Sequence, residues 1–145
     1  MLNRQERRAT LSLASIYAFR MLGLFMILPV FAIYAHSKLH ATPFLIGLAL
    51  GIYGLTQAIL QIPFGMISDR IGRKPIILLG LVLFLIGSVI AGLAHSIDGI
   101  IFGRAIQGAG AIGSTLTAMV ADLTAEENRL KAMSVIGMTI GLSFV

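Results

Sequence analysis

Apolar runs of about twenty residues alternate with short polar turns along nearly the whole chain. Four full runs can be drawn, at residues 11–34, 44–67, 75–94 and 99–121, and a fifth, partial one occupies 132–145. Each full run is close to the ~20 residues an α-helix needs to cross ~30 Å of hydrocarbon. The runs lack the two-residue alternation of strands, and a helix in lipid satisfies its own backbone. The pattern therefore predicts an all-α membrane protein: a transmembrane helix bundle of four full helices and the start of a fifth.

The boundaries carry start signals. Thr42-Pro43 offers a cap and a proline at the first helical position of the second span, and Lys74-Pro75 places a proline at the start of the third. Thr124-Ala-Glu-Glu127 has the spacing of a capping box, with Glu127 reaching back to the cap amide and pairing at i+4 with Lys131. The fifth helix is expected to start there.

Composition sets the solvent. The 145 residues are 57% hydrophobic and 12% charged, about half the charge of a soluble domain of this size, with a mean hydropathy of +0.94. Lipid bilayer is the expected surrounding. The net charge of +5 does not point to nucleic acid, because the cations sit at the ends of apolar runs rather than on one wet face. The absence of cysteine excludes disulfides, thiol catalysis and thiolate metal sites. Basic residues ahead of the first run resemble the start of a signal peptide, but the run is too long for one and reads as a retained span.

Sidedness follows from the cations. The amino terminus (Arg4, Arg7, Arg8), the turn after the second span (Arg70, Arg73, Lys74) and the segment after the fourth (Arg129, Lys131) hold eight of the eleven. The two other connections hold only Lys38. The positive-inside rule then places the amino terminus in the cytoplasm. Arg20 and Arg104 remain, both inside spans.

Residues 65–74, Gly-Met-Ile-Ser-Asp-Arg-Ile-Gly-Arg-Lys, form the densest charged turn. Asp69 and Asp122 each end a cytoplasm-bound helix, where a carboxylate faces the negative end of the helix dipole and needs a partner. Arg73, four residues beyond Asp69, is one candidate, and Asp122 arrives on the same face of the membrane. Charge alone leaves two readings open: a latch that closes one conformational state, or ordinary loop polarity with a topological role. The spacing G-x-x-x-D-R-x-G-R-K resembles the turn between the second and third helices of major facilitator superfamily transporters. That resemblance implies that Gly65 packs two helices closely, Gly72 bends the chain, Asp69 docks on a helix of the other half, and Arg73 bridges to Asp122. Arg70 and Lys74 complete the motif. The docking helix is not in this chain.

Arg104 lies in Ile100-Ile-Phe-Gly-Arg-Ala-Ile-Gln-Gly-Ala-Gly110, which resembles the fourth-helix pattern R-x-x-Q-G-x-G of the same family, with Gln107 and Gly108 as its other members. An arginine inside a span costs several kcal/mol or more and is a functional hypothesis by default. The resemblance implies a part in proton coupling; the alternative is snorkelling, since Arg104 is about five residues, ~7 Å, from the outer end of its helix. No Asp or Glu lies within any apolar span, so a titrating acid has to come from elsewhere.

Other candidates have weaker support. Arg20 precedes Met21-Leu-Gly-Leu-Phe-Met-Ile-Leu-Pro29, similar to a family first-helix segment whose proline bends a cavity-lining helix; Arg20 either meets anions or reaches the cytoplasmic face. Gln57 and Gln61 share a helix face and either line a cavity or bond between helices. Gly47/Gly51 and Gly137/Gly141 are G-x-x-x-G pairs expected to mark close helix contacts. His36, His40 and His95 fall in or beside outer loops. Gly108-Ala-Gly-Ala-Ile-Gly113 fits the dinucleotide pattern G-x-G-x-x-G, but no strand precedes it, so helix contact is the expectation.

Gly51-Ile-Tyr-Gly-Leu-Thr-Gln57, Gln61-Ile-Pro-Phe-Gly65 and Asp122-Leu-Thr-Ala-Glu-Glu-Asn-Arg129 further resemble a branch of bacterial inner-membrane facilitators grouped with drug/proton antiporters. The family is built of twelve helices in two six-helix halves, each of two three-helix repeats. The resemblance makes 1–145 the N-terminal part of the first half, in a fragment or interrupted frame. It implies alternating-access transport of an unidentified small molecule, as proton-linked efflux, together with a missing C-terminal part. Alternatives are a four-helix pump acting as a homo-oligomer, which would need an intramembrane acid, and a non-transporting scaffold or inactive fragment. No cofactor is expected, and no catalytic constellation or metal cluster suggests an enzyme.

Overall fold

The structure, a computed structural model, describes residues 3–144. Its helices are α1 (Arg4–Leu39), α2 (Pro43–Ile71), α3 (Arg73–Leu93), α4 (Ile97–Ala109), α5 (Gly113–Leu123) and α6 (Arg129–Leu142), with a 3-10 turn at Glu126–Asn128 before the last. Among the described residues α1, α2 and α3 are each long and apolar enough to cross a membrane. At 36 residues α1 measures ~54 Å, so its ends extend past the ~30 Å of hydrocarbon. Many large apolar side chains point outward, Phe19, Met26, Phe44 and Leu85 among them, as a lipid-facing surface demands.

The chain divides into two compact units. One holds Phe31–Thr115, and the other the residues up to Val30 with those from Leu116 on. In the Phe31–Thr115 unit, Phe31, Ala35, Ala41, Ala49 and Ile100 form a buried apolar cluster flanked by Leu45, Leu50, Ala94 and Ile97. The other unit buries Leu13, Ala14 and Tyr17 of α1, Leu116 and Val120 of α5, and Ala132 and Ile136 of α6.

The start of α2 is as expected: Pro43 opens the helix, and the Thr42 hydroxyl accepts from the Leu45 amide at 3.4 Å. At α3, Pro75 falls at the third helical position, because the helix already starts at Arg73.

Three expectations are corrected. The apolar run 99–121 is not one helix; it breaks between α4 and α5 at residues 110–112. There the Gly110 amide turns back to the Gln107 carbonyl (3.3 Å) and the Ile112 amide to the Gly110 carbonyl (3.0 Å). The cause is a close fit to α3. Ile112, fully buried, drops into the space left by Gly80, where any Cβ would collide with its Cγ2.

The second correction is the capping box at Thr124–Glu127. The Thr124 hydroxyl bonds back to the Val120 carbonyl, and α6 starts at Arg129 behind Asn128, whose side chain makes no cap bond. The Ala125 amide instead donates to Glu6 Oε1 at 2.8 Å, while Glu6 Oε2 accepts from the Asn3 amide (2.7 Å) and Asn128 Nδ2 (3.1 Å). One carboxylate thus caps its own helix and the 3-10 turn together. These bonds, the Ala125 amide first, hold the Glu6 carboxyl below the usual carboxylate range. A depressed pKa stabilises above the ordinary carboxylate value, so the tie holds at neutral pH and loosens only in acid.

The third concerns the G-x-x-x-G pairs. A Cβ at Gly47, Gly51, Gly137 or Gly141 would meet nothing within 4 Å, so neither pair packs against another described element. Close approach is made elsewhere. On α3, Gly80 and Gly87 lie seven residues apart; on α4, Gly103 and the following Gly110 repeat that spacing. Two helical turns put each pair on one stripe, and the two stripes meet: Gly87 against Gln107, Gly103 against Ala91, Gly110 against the Gly80 carbonyl. Gly108 meets the Tyr53 carbonyl and Thr56 of α2. Gly108 and Gly110 of the dinucleotide look-alike therefore serve helix contact, as expected.

Candidate functional site

Two polar constellations stand out, and both lie in the Phe31–Thr115 unit. The first is the turn between α2 and α3. Asp69 falls in the last turn of α2 and Arg73 opens α3; the two form an i,i+4 ion pair. Arg73 Nη1 also donates to Ser68 Oγ at 2.7 Å, and that buried hydroxyl donates to the Gly65 carbonyl at 2.7 Å. Arg73 is thereby folded back over the end of α2, with its side chain 20% exposed against 61% for Asp69. Arg70 and Lys74 point to solvent.

The turn depends on Gly72. It has φ 106° and ψ 154°, a region open essentially to glycine alone, and its amide caps α2 through the Ser68 carbonyl (3.1 Å). The space around it is open enough for a methyl group, so the obstacle is conformational. Gly72→Ala is therefore expected to destabilise the protein by about 1–3 kcal/mol. Thermal unfolding in detergent would show it, and an unchanged midpoint would contradict this backbone geometry. Gly65 is in tight contact as well: a Cβ there would lie 3.3 Å from Ser114 Oγ, which donates to the Gln61 carbonyl at 2.9 Å. Asp122 belongs to the other unit, exposed in the last turn of α5.

The second constellation centres on Arg104, 5% exposed. Snorkelling is not what the side chain does. Its Nε donates to the Ala49 carbonyl of α2 (3.4 Å), its Nη1 donates to Gln107 Oε1 (2.8 Å), and its guanidinium carbon lies 4.9 Å from the centre of the Tyr53 ring. Gln107 Nε2 donates to Ser88 Oγ of α3 (2.9 Å), and Ser88 donates to the Phe84 carbonyl (2.7 Å). A charge out of water is stabilised here by a carbonyl, an amide oxygen and an aromatic face. Gly108, next to Gln107, lets α4 approach α2 closely enough for these bonds.

The remaining candidates are dispersed. Arg20 is buried in the other unit at 3% exposure, near the middle of its long helix. Pro29 sits inside α1 with its side chain exposed, and Gln57 and Gln61 are half-buried on α2. The three histidines are exposed. Sequence reasoning missed Ser68, Ser88, Tyr53 and Ser114; only Ser68, adjacent to Asp69, carried a local hint.

The Major Facilitator Superfamily profile matches residues 13–145. The chain belongs to that superfamily. This facilitator chain is 57% identical over 139 residues to the inner membrane transport protein YajR of Escherichia coli, covering 96% of this chain and 31% of that protein. It is 49% identical over 144 residues to an uncharacterized transporter of Buchnera aphidicola, covering 99% and 37%. Over 146 aligned residues it is 30% identical to Multidrug resistance protein 2 of Bacillus subtilis, covering 99% and 36%. The branch expected from the sequence is the one found. The chain spans about a third of the length of these relatives. It is a multi-pass membrane protein of a transporter family.

Proposed function

We propose that this chain is the N-terminal part of the first six-helix half of a transporter that exports a small solute by alternating access, driven by protons, with its amino terminus in the cytoplasm. The buried Arg104, held by Gln107 and Tyr53, carries the reading. An arginine kept in the membrane interior with no carboxylate in any apolar span of its own chain is suited to act on an acid or anion supplied from outside that span. The turn Asp69–Arg73 and the exposed Arg70 and Lys74 suit a cytoplasmic latch, with Asp122 as its second acid. The name of the Bacillus subtilis relative, a multidrug resistance protein, supports efflux of organic solutes. Arg20 and Pro29 in one unit, and Gln57 and Gln61 in the other, are each candidates to meet the solute.

The test is transport by the protein reconstituted in vesicles with an imposed pH gradient, read with a fluorescent cationic dye. Dye movement that follows the gradient and collapses with a protonophore is expected. Movement indifferent to the protonophore would remove proton linkage, and no movement of any of a panel of dyes would remove organic-solute efflux.

A further inference from the structure

Ser88 has no place in either sequence motif, yet it sits at the end of the hydrogen-bonded chain that fixes Arg104. The polarity of that chain follows from its members. Arginine only donates, so Gln107 must turn its Oε1 toward Nη1, at 2.8 Å. A flipped amide would set donor against donor. The Gln107 NH2 then faces α3, where Ser88 Oγ accepts it at 2.9 Å and passes its own proton to the Phe84 carbonyl at 2.7 Å. The row therefore runs in one direction, from Arg104 through Gln107 and Ser88 to the Phe84 carbonyl.

The geometry also ties this row to how α3 sits on α4. Gly87, beside Ser88, lies in backbone contact with Gln107, and Gly103 lies in contact with Ala91. The short reach from Ser88 to Gln107 exists because these glycines let the helices meet. A slide of α3 along α4 by one residue, ~1.5 Å, would stretch this 2.9 Å bond to about 3.3 Å where it crosses between the helices, past the usual range for N–H···O.

We infer that Ser88 is a positioning residue: through Gln107 it sets the direction in which Arg104 points, and it makes that direction depend on the register of α3 against α4. Tyr53 and the Ala49 carbonyl hold Arg104 from the α2 side, so Ser88 governs one of its two anchors. The inference rests on the proposed role of Arg104 for its functional meaning, while its structural content stands by itself.

The experiment has one arm for each. In protein purified in detergent and labelled with nitrogen-15 at arginine, the Arg104 side-chain resonance is assigned by its loss in Arg104→Lys. Ser88→Ala is expected to shift and broaden that resonance, leave the other arginines in place, and be reversed in Ser88→Thr, which keeps the hydroxyl. In reconstituted vesicles the same Ser88→Ala change is expected to lower turnover about three- to tenfold, the worth of one buried hydrogen bond, with KM unchanged. An unmoved Arg104 resonance, or a change spread over all arginines, overturns the positioning role. A shifted resonance with unaltered turnover keeps the geometry and overturns the link to transport. If Ser88→Ala does not survive purification, Ser88→Cys, a weaker acceptor, serves the same comparison with a smaller shift expected.

Discussion

Gly87→Val is expected to abolish the folded protein, and Gly87→Ala to lower its unfolding temperature sharply. A single methyl at Gly87 would stand 2.6 Å from both Gln107 Cα and the Gly103 carbonyl oxygen. These are backbone atoms of a helix, which cannot swing aside as a side chain can. Ordinary contact begins near 3.4 Å, so α3 and α4 would have to part along the whole glycine stripe. Overpacking of this kind costs about 1–3 kcal/mol and more where the backbone must move. Gly92, on the same helix, is the control: a Cβ there meets nothing within 4 Å, and alanine is the better helix former by about 1 kcal/mol. Thermal unfolding of the two alanine variants in detergent decides the matter. If Gly87→Ala melts with Gly92→Ala, the helices are not in backbone contact.

Arg104→Leu is expected to separate activity from stability. Removing the guanidinium takes away a charge buried in the protein, with no carboxylate in any apolar span of the chain. The change removes the cost of burying a charge but leaves the buried Gln107 Oε1 without its donor, so the two effects offset and the unfolding temperature should move little. Transport should fall about a hundredfold, the usual consequence of deleting a preorganised electrostatic group. Arg104→Lys should not restore it. A single ammonium cannot span from the Ala49 carbonyl to Gln107 Oε1 while lying flat on Tyr53. The measurement is the initial transport rate beside the melting curve of each variant. Retained transport in Arg104→Leu would reduce the residue to a structural role.

The parts of the chain that obey local rules were legible. Asp69 and Arg73 pair because they are four residues apart across a glycine bend, and Thr42-Pro43 starts α2 because a cap and a fixed φ suffice there. The interior position of Arg104 was legible from hydropathy, but its partners were not, since a lone serine on α3 or a tyrosine on α2 carries no signal in a single sequence. The break at 110–112 was hidden for a different reason: Ala111 and Ile112 continue the apolar run, and what interrupts the helix is the space at Gly80 on another helix. Thr124–Glu127 misled because a good local spacing lost to a carboxylate from the far end of the chain. The G-x-x-x-G pairs misled because four-residue spacing marks a possible contact face, while the contact made uses a seven-residue one.

The double cap made by Glu6 sets an order of events in biosynthesis. Its bond to the Asn3 amide spans three residues and can form as soon as the first helical turn has left the ribosome. Its bond to Ala125 spans 119 residues and must wait until the last of the apolar spans in between has been synthesised. During that interval the carboxylate holds only its own helix. The closing of this tie is thus a late step, a seal applied after the intervening helices have been made.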